Sequence, residues 1–267
     1  MREPFQFLWI GKELSKLEQL SLTSFLYHGH AVHLYVYDDV EGIPDGVQVE
    51  DANTIVPAAQ VYKQRAGKHA NGKGSLAGFS NRFRMELLRQ KGGYWADIDL
   101  ICMQPFDFDD DVVFGRESTS VINGALVRAP LGHELPQLLC PVFEAPCADY
   151  PWDSDRLRRR KRLRRLTGRT SIESAEFGQM GYKLFTSAVE YLGLSDLAKP
   201  YTWFYPVHWS NWRAIFDSTL ANDASLFSHT YILHLWNEML RREPGFDKNA
   251  DFPKDSLIEQ LKARYGV

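Results

Sequence analysis

The sequence predicts an α/β domain built on a mixed, mostly parallel central sheet, and three observations carry that reading. A strand, a capped helix and a second strand follow one another over residues 5–37, the size of a strand–helix–strand crossover between parallel strands. A helix with one-sided apolar spacing over 79–91 stops at Gly92-Gly93 and gives way to an apolar strand. Further short strands follow at 112–114 and 121–127. A chain of 267 residues suits one large domain with a sizeable core, and the whole of 1–267 is read as a single domain, with 131–172 a helical, basic insertion.

Phe5–Ile10 is apolar but for Gln6 and reads as the first strand. Ser15 and Glu18 have capping-box spacing, so a helix is expected from Ser15 to Tyr27, ended by Gly29. Val32–Tyr37 alternates apolar and polar positions as a strand does. Gly42–Gly78 is turn-rich, with a short strand expected at 47–49; its part from Lys68 carries lysines that could reach an anionic ligand, or form an ordinary surface loop. On the 79–91 helix Phe79, Phe83, Leu87 and Leu88 share a face, while Arg82, Arg84 and Glu86 lie off it. Asn123-Gly124 interrupts a strand, which implies a close approach to the backbone there. Residues 174–192 read as a pair of helices, the aromatic run from Tyr201 to Trp212 as core or a platform for rings and sugars, 231–237 as a last strand and 255–265 as a closing helix.

Composition narrows the function. Hydrophobic residues are 44% and charged residues 24%, with a net charge of −3, which argues against bulk nucleic-acid binding. No apolar run approaches the ~18–20 residues of a membrane span. Arg2 and Glu3 open a chain without a signal-type apolar core, so a cytoplasmic protein is expected, peripheral to the inner face of the membrane if it meets one. Cys102, Cys140 and Cys147 are too scattered for a disulfide framework or zinc site and are expected to be inert thiols. Arg156–Arg165 carries eight basic residues in ten. A solvated segment is the plain reading; contact with anionic lipid or a charged acceptor is the alternative.

The chemistry is expected at Asp97-Ile98-Asp99. In an extended chain residues i and i+2 face the same side, so both carboxylates would face one point. Close carboxylates raise one another's pKa unless a cation sits between them. Oxygen donors favour Mg²⁺ or Mn²⁺, whose shell is completed by water and a substrate diphosphate. The triplet alone is common, and its flanks decide.

Those flanks resemble a family. Ser80-Asn81-Arg82-Phe83-Arg84, Leu87-Leu88 and then Gly92-Gly93-Tyr94-Trp95-Ala96-Asp97-Ile98-Asp99 are similar to the S-D-x-x-R…L…G-G-x-Y/W-x-D-x-D block of the family 32 glycosyltransferases. Phe7–Gly11 resembles the family's opening strand, and His234-Leu235-Trp236-Asn237 its closing H-x-W-N. The group includes mannosyl-, α-1,4-galactosyl- and N-acetylglucosaminyltransferases, and the clostridial glucosylating toxins are structurally similar. The resemblance implies a GT-A fold, a Rossmann-like nucleotide-sugar domain with a helical protrusion. It implies Trp9 stacked on a base, Arg84 reaching the nucleotide-sugar, Asp97 on ribose and a metal-bound water, Asp99 as the direct metal ligand, His234 completing the metal and diphosphate site, and Trp236 beside the phosphates. Asn81 stands where the family has Asp. Asn123 resembles the strand residue lining the donor sugar. Gly178–Thr186 resembles a family helix start with Tyr182 in place of proline, and Glu173 and Glu176, just upstream, are the acidic residues expected at the acceptor.

The activity so implied is metal-dependent, retaining transfer of a sugar from a nucleotide-sugar, UDP-sugar by analogy, to a saccharide or lipid-linked saccharide acceptor in cell-surface polysaccharide synthesis, with Mn²⁺ or Mg²⁺ as cofactor. An inactive homologue that only binds nucleotide-sugar is the alternative. A dehalogenase-type phosphatase is more remote, because its D-x-D stands near the chain start.

Overall fold

The computed structural model describes residues 3–64, 74–172, 180–221 and 224–267. The chain runs β1 (Phe5–Trp9), α1 (Lys16–Tyr27), β2 (Val32–Val36), β3 (Gln48–Asp51), α2 (Ala77–Lys91), β4 (Gly93–Ala96), β5 (Leu100–Cys102), β6 (Val113–Arg116) and β7 (Ile122–Ala129). It continues as α3 (Glu134–Glu144), α4 (Asp155–Leu166), α5 (Tyr182–Tyr191), α6 (Tyr201–Phe204), β8 (Ile232–His234), α7 (Asn237–Arg242) and α8 (Leu257–Tyr265). The central sheet has the order β3-β2-β1-β4-β7-β6. Strands β3, β2, β1 and β4 are mutually parallel, and β7 runs against both β4 and β6. This is the mixed, mostly parallel α/β sheet expected.

Both faces of the sheet are covered, which is why its strands read as nearly continuous apolar runs. Alternate residues feed two cores. Phe5, Phe7, Leu34, Tyr94 and Leu126 point to a cluster closed by α1 and α8. Leu8, Tyr35, Trp95 and Val127 point to the other, closed by α2, α3 and α5. Helix α1 starts as predicted: Ser15 is the N-cap, and its N–H donates to Glu18 Oε2 at 3.1 Å. All three cysteines are buried and free.

Several expectations are corrected. The acid pair does not lie on one strand: β4 ends at Ala96, Asp97–Asp99 makes a turn closed by Leu100 N–H to Asp97 C=O at 3.1 Å, and β5 leaves to pair antiparallel with β8. The last strand stops at His234, and Trp236 takes a left-handed backbone conformation at φ 59°. Arg156–Arg165 lies within α4, inside the stretch read as a helical, basic insertion; it is capped by Ser154 and, solvated over most of its length, is anchored through buried Lys161. Helix α2 is buried beyond its apolar face, with Arg84 and Glu86 at 6% and 7% exposure. Gly78 is no turn residue: it lies in the first turn of α2, where a Cβ would stand 2.4 Å from the side-chain carbonyl carbon of Gln64. Most of the lysine-bearing stretch, 65–73, lies outside the described residues, as do Glu173, Glu176 and Gly178.

Candidate active site

Ligands of such sheets collect beyond the carboxyl ends of the parallel strands. A cleft of about 1030 Å³ opens there, lined by Trp9 from the end of β1, by Asp97 and Asp99 after β4, by His234 at the end of β8 and by Trp236 and Asn237 after it. Asn81 and Arg84 of α2 and Asn123 and Gly124 of β7 line it too. The fold thus brings together every described site residue that the sequence pointed to.

Each aspartate is held by its own partners. The N–H of Asp97 donates to Ala125 C=O at 2.8 Å. Its Oδ1 accepts from Arg84 Nη2 at 2.6 Å and from Trp95 Nε1 at 2.7 Å. The Arg84 guanidinium lies over the Trp95 ring, 5.4 Å from its centre, and a Cβ at Gly124 would come within 2.9 Å of Arg84 Nη1. The glycine inside β7 is therefore explained: it leaves room for this arginine. Asp99 Oδ2 accepts from His234 Nε2 at 3.1 Å and from the Asn237 N–H at 2.7 Å. The β5–β8 ladder sets that contact, because Leu100 lies opposite His234.

The left-handed backbone at Trp236 costs about 1–2 kcal/mol. It turns the chain so that the Asn237 N–H meets Asp99 while the Trp236 ring packs 4.0 Å from that of His234. Trp236 Nε1 is secured on Val207 C=O at 2.9 Å. Strain of this kind persists where surrounding contacts over-determine it, often at functional sites.

Charge follows from these contacts. Burial raises the Asp97 pKa; Arg84 pulls the other way, and the charge of Asp99 adds to the rise. Asp99 is lowered, since His234 and the Asn237 N–H outweigh the cost of burial. His234 is raised despite burial, because Asp99 favours its protonated form. The cleft thus holds a hydrogen-bonded Asp99–His234 pair in which each partner favours the charged form of the other, beside Arg84 and an Asp97 carboxyl that burial shifts toward its protonated form.

Some participants were not foreseen. Glu117, on the cleft wall, accepts from Asn123 Nδ2 at 2.6 Å, while Asn123 Oδ1 accepts from the Ala125 N–H at 2.8 Å. Gln64 reaches the cleft because its backbone pairs with Ser75 at 2.8 and 3.1 Å. Neither has a local signature, since both depend on chain closure. Asn237 sits in the closing motif, but its amide oxygen gained significance only in three dimensions.

Among the described residues, five of the seven buried side-chain polar atoms without a partner belong to residues lining this cleft: Trp9 Nε1, Gln64 Nε2, Arg84 Nε, His234 Nδ1 and Asn237 Oδ1; Arg82 Nε and Asp153 Oδ1 do not. Buried polar groups are ordinarily satisfied, so this set points to a polar ligand. Among the described residues no three His, Cys, Asp or Glu side chains form a ready metal-binding group, so Asp97, Asp99 and His234 are not a preformed cage. The donor chemistry nevertheless fits a hard divalent ion. Asp97 Oδ2 and Asp99 Oδ1 are outside the bonds just described, Asn237 Oδ1 is an unpartnered oxygen, and such ions usually take only one or two protein carboxylates beside water and phosphate.

The family model described as "Alpha 1,4-glycosyltransferase conserved region" matches residues 197–265, a stretch that contains His234, Trp236 and Asn237 but not the aspartates. The lactosylceramide 4-alpha-galactosyltransferase of Rattus norvegicus is 27% identical over 198 residues, covering 70% of this chain and 46% of that protein. The Mus musculus protein of the same name is 26% identical with the same coverage, and that of Gorilla gorilla gorilla is 26% identical over 70% of this chain and 51% of its own. The chain thus spans about half the length of the curated relatives it matches. A solved structure titled "PaToxG Glycosyltransferase" superposes with a TM-score of 0.44 at 12% identity, over 99% of this chain and 84% of that one. By sequence, this chain is similar to the alpha-1,4-glycosyltransferase conserved region over 197–265 and to these galactosyltransferases over 198 residues.

Proposed function

We propose that the cleft binds a nucleotide-sugar, with UDP-sugar the first choice, and transfers its sugar to a hydroxyl of a saccharide or glycolipid acceptor with retention of configuration. The observation that carries this reading is the convergence of unpartnered buried polar atoms on a cleft that also holds Arg84, the Asp99–His234 pair and Asp97. Kinship to enzymes named for galactosyl transfer to lactosylceramide supports the reaction class.

In this scheme Trp9 offers its ring to the base, and Asn81 and Arg84 bind the nucleotide-sugar. Asn123, fixed by Glu117, faces the sugar. A Mg²⁺ or Mn²⁺ ion would be held by Asp99, with Asp97 and the His234–Asn237 segment, and when bound would supply Lewis-acid stabilisation of the diphosphate. Arg84 adds fixed positive charge for the negative charge that builds on the departing phosphate, and His234, bonded to Asp99, holds that carboxylate in place, an electrostatic contribution made before the reaction begins. The bond from anomeric carbon to β-phosphate oxygen breaks, and the bond to the acceptor oxygen forms on the same face. The acceptor proton passes to the departing phosphate oxygen. Glu173 and Glu176 remain the acidic groups proposed at the acceptor.

The test is release of UDP from a panel of UDP-sugars, with and without Mn²⁺ or Mg²⁺, in the presence of saccharide and glycolipid acceptors. Acceptor-stimulated, cation-dependent release is expected, and NMR of the new linkage should show the donor's anomeric configuration. Tight UDP-sugar binding without turnover would leave a binding module instead. No binding of any nucleotide-sugar would overturn the reading.

A further inference from the structure

Helix α4 is the strongest feature the proposed reaction does not use. Eight of the chain's 31 lysines and arginines lie in it, although the chain as a whole is net negative at −3. Its one acidic residue, Asp155, stands in the first turn. Like charges three and four residues apart destabilise a helix, so such a segment needs either an anchor or a counter-surface.

The anchor is on its inner side. Lys161, 4% exposed, donates to Asp153 Oδ2 at 2.6 Å and to Ala148 C=O at 2.9 Å, with its ammonium over the Tyr150 ring. Arg165 pairs with Asp149 at 3.1 Å. At 3.6 residues per turn, Arg156, Arg159, Leu163 and Leu166 fall on the side opposite Lys161. All four are exposed, Leu163 at 61% and Leu166 at 76%, and Arg162 at the margin is exposed too. The outward face is therefore two leucines with arginines beside them, on a helix fixed from behind.

We propose that this face docks on an anionic lipid bilayer. A lipid surface is the partner that answers both halves of it. The guanidinium groups meet headgroup phosphates, each cationic side chain contributing roughly a factor of five in affinity near such a surface. The leucines enter the acyl boundary, as in helices that lie in the membrane interface. A nucleic acid would use the charges alone and leave Leu163 and Leu166 in water. The proposal does not rest on the glycosyltransferase reading.

The experiment is sedimentation of the full chain with large unilamellar vesicles, either phosphatidylcholine alone or with about 30% phosphatidylserine. Partition onto the anionic vesicles is expected to exceed that onto neutral ones at least tenfold. The exposed triple variant R156Q/R159Q/R162Q should lower it about a hundredfold. L163S/L166S should lower it severalfold with every charge retained. An unchanged thermal midpoint in both variants excludes unfolding as the cause. Equal partition onto neutral vesicles, no partition at all, insensitivity to the leucine change, or tighter salt-matched binding to duplex RNA would each overturn the proposal.

Discussion

Asp99 Oδ2 receives two hydrogen bonds from one segment, from the His234 imidazole at 3.1 Å and from the Asn237 backbone at 2.7 Å. Those residues lie 135 and 138 positions later in the chain, so the acid turn and the closing motif are one unit. Replacing His234 by Ala leaves Asp99 buried without its counter-charge. A loss of about 3–5 kcal/mol is expected, read from urea denaturation. Asp99→Asn should lower transfer by about 10²–10³ while retaining most of the fold.

Arg84 and Asp97 form the other half. Arg84→Lys cannot keep the planar fork that both bonds Asp97 and lies over Trp95. Nucleotide-sugar affinity should fall about tenfold or more by calorimetry, since a lost charged hydrogen bond is worth roughly 1.5–3 kcal/mol. Retained affinity would remove Arg84 from the donor site.

Gly124 offers a steric test of the same arginine. A methyl group there would stand 2.9 Å from Arg84 Nη1 and 3.2 Å from the Phe185 ring. Gly124→Ala should cost about 1–3 kcal/mol of stability and weaken nucleotide-sugar binding in the same direction as Arg84→Lys. A variant with wild-type stability and affinity would show that the strand does not hold Arg84 in place.

Burial lowers the pKa of two histidines away from the cleft, His28, with Arg264 adding to the effect, and His133. Their folded values lie below the unfolded 6.5, so the unfolded chain takes up protons first as the pH falls. The stability they contribute is complete above about pH 6.5 and declines as the pH drops through the folded values. His133 Nδ1 also accepts the Leu135 N–H at 3.1 Å as the cap of α3, a bond that protonation removes. The urea midpoint should fall on acidification from pH 7, and more gently in His28→Gln/His133→Gln.

The anchor of α4 is a buried pair, with Lys161 and Asp153 side chains at 4% and 1% exposure. Lys161→Met alone should cost about 3–5 kcal/mol by leaving Asp153 charged and unpaired. Adding Asp153→Asn should recover much of that loss, because the amide can still accept from the Tyr150 N–H, now 2.9 Å from Asp153 Oδ2. Urea denaturation of the single and double variants separates the two states.

Local chemistry made much of this protein legible in one dimension. The capping box of Ser15 and Glu18, the glycine stop after α2, the first crossover and the glycine inside β7 were readable because each rests on neighbours within a few residues. The family-like block named Trp9, Asn81, Arg84, Asp97, Asp99, Asn123, His234 and Trp236, and all of them line one cleft. What tertiary structure alone decided is how the charges are shared. Period-two spacing put both aspartates on one strand, yet the sheet releases the chain after Ala96, so Asp97 turns to Arg84 and Asp99 to His234. Gln64 and Glu117 entered the cleft through chain closure, and the basic run is fixed to the domain because Lys161 found Asp153. Spacing in a chain fixes which way a residue faces within its own element; which distant group neutralises a buried charge is set only when the elements pack.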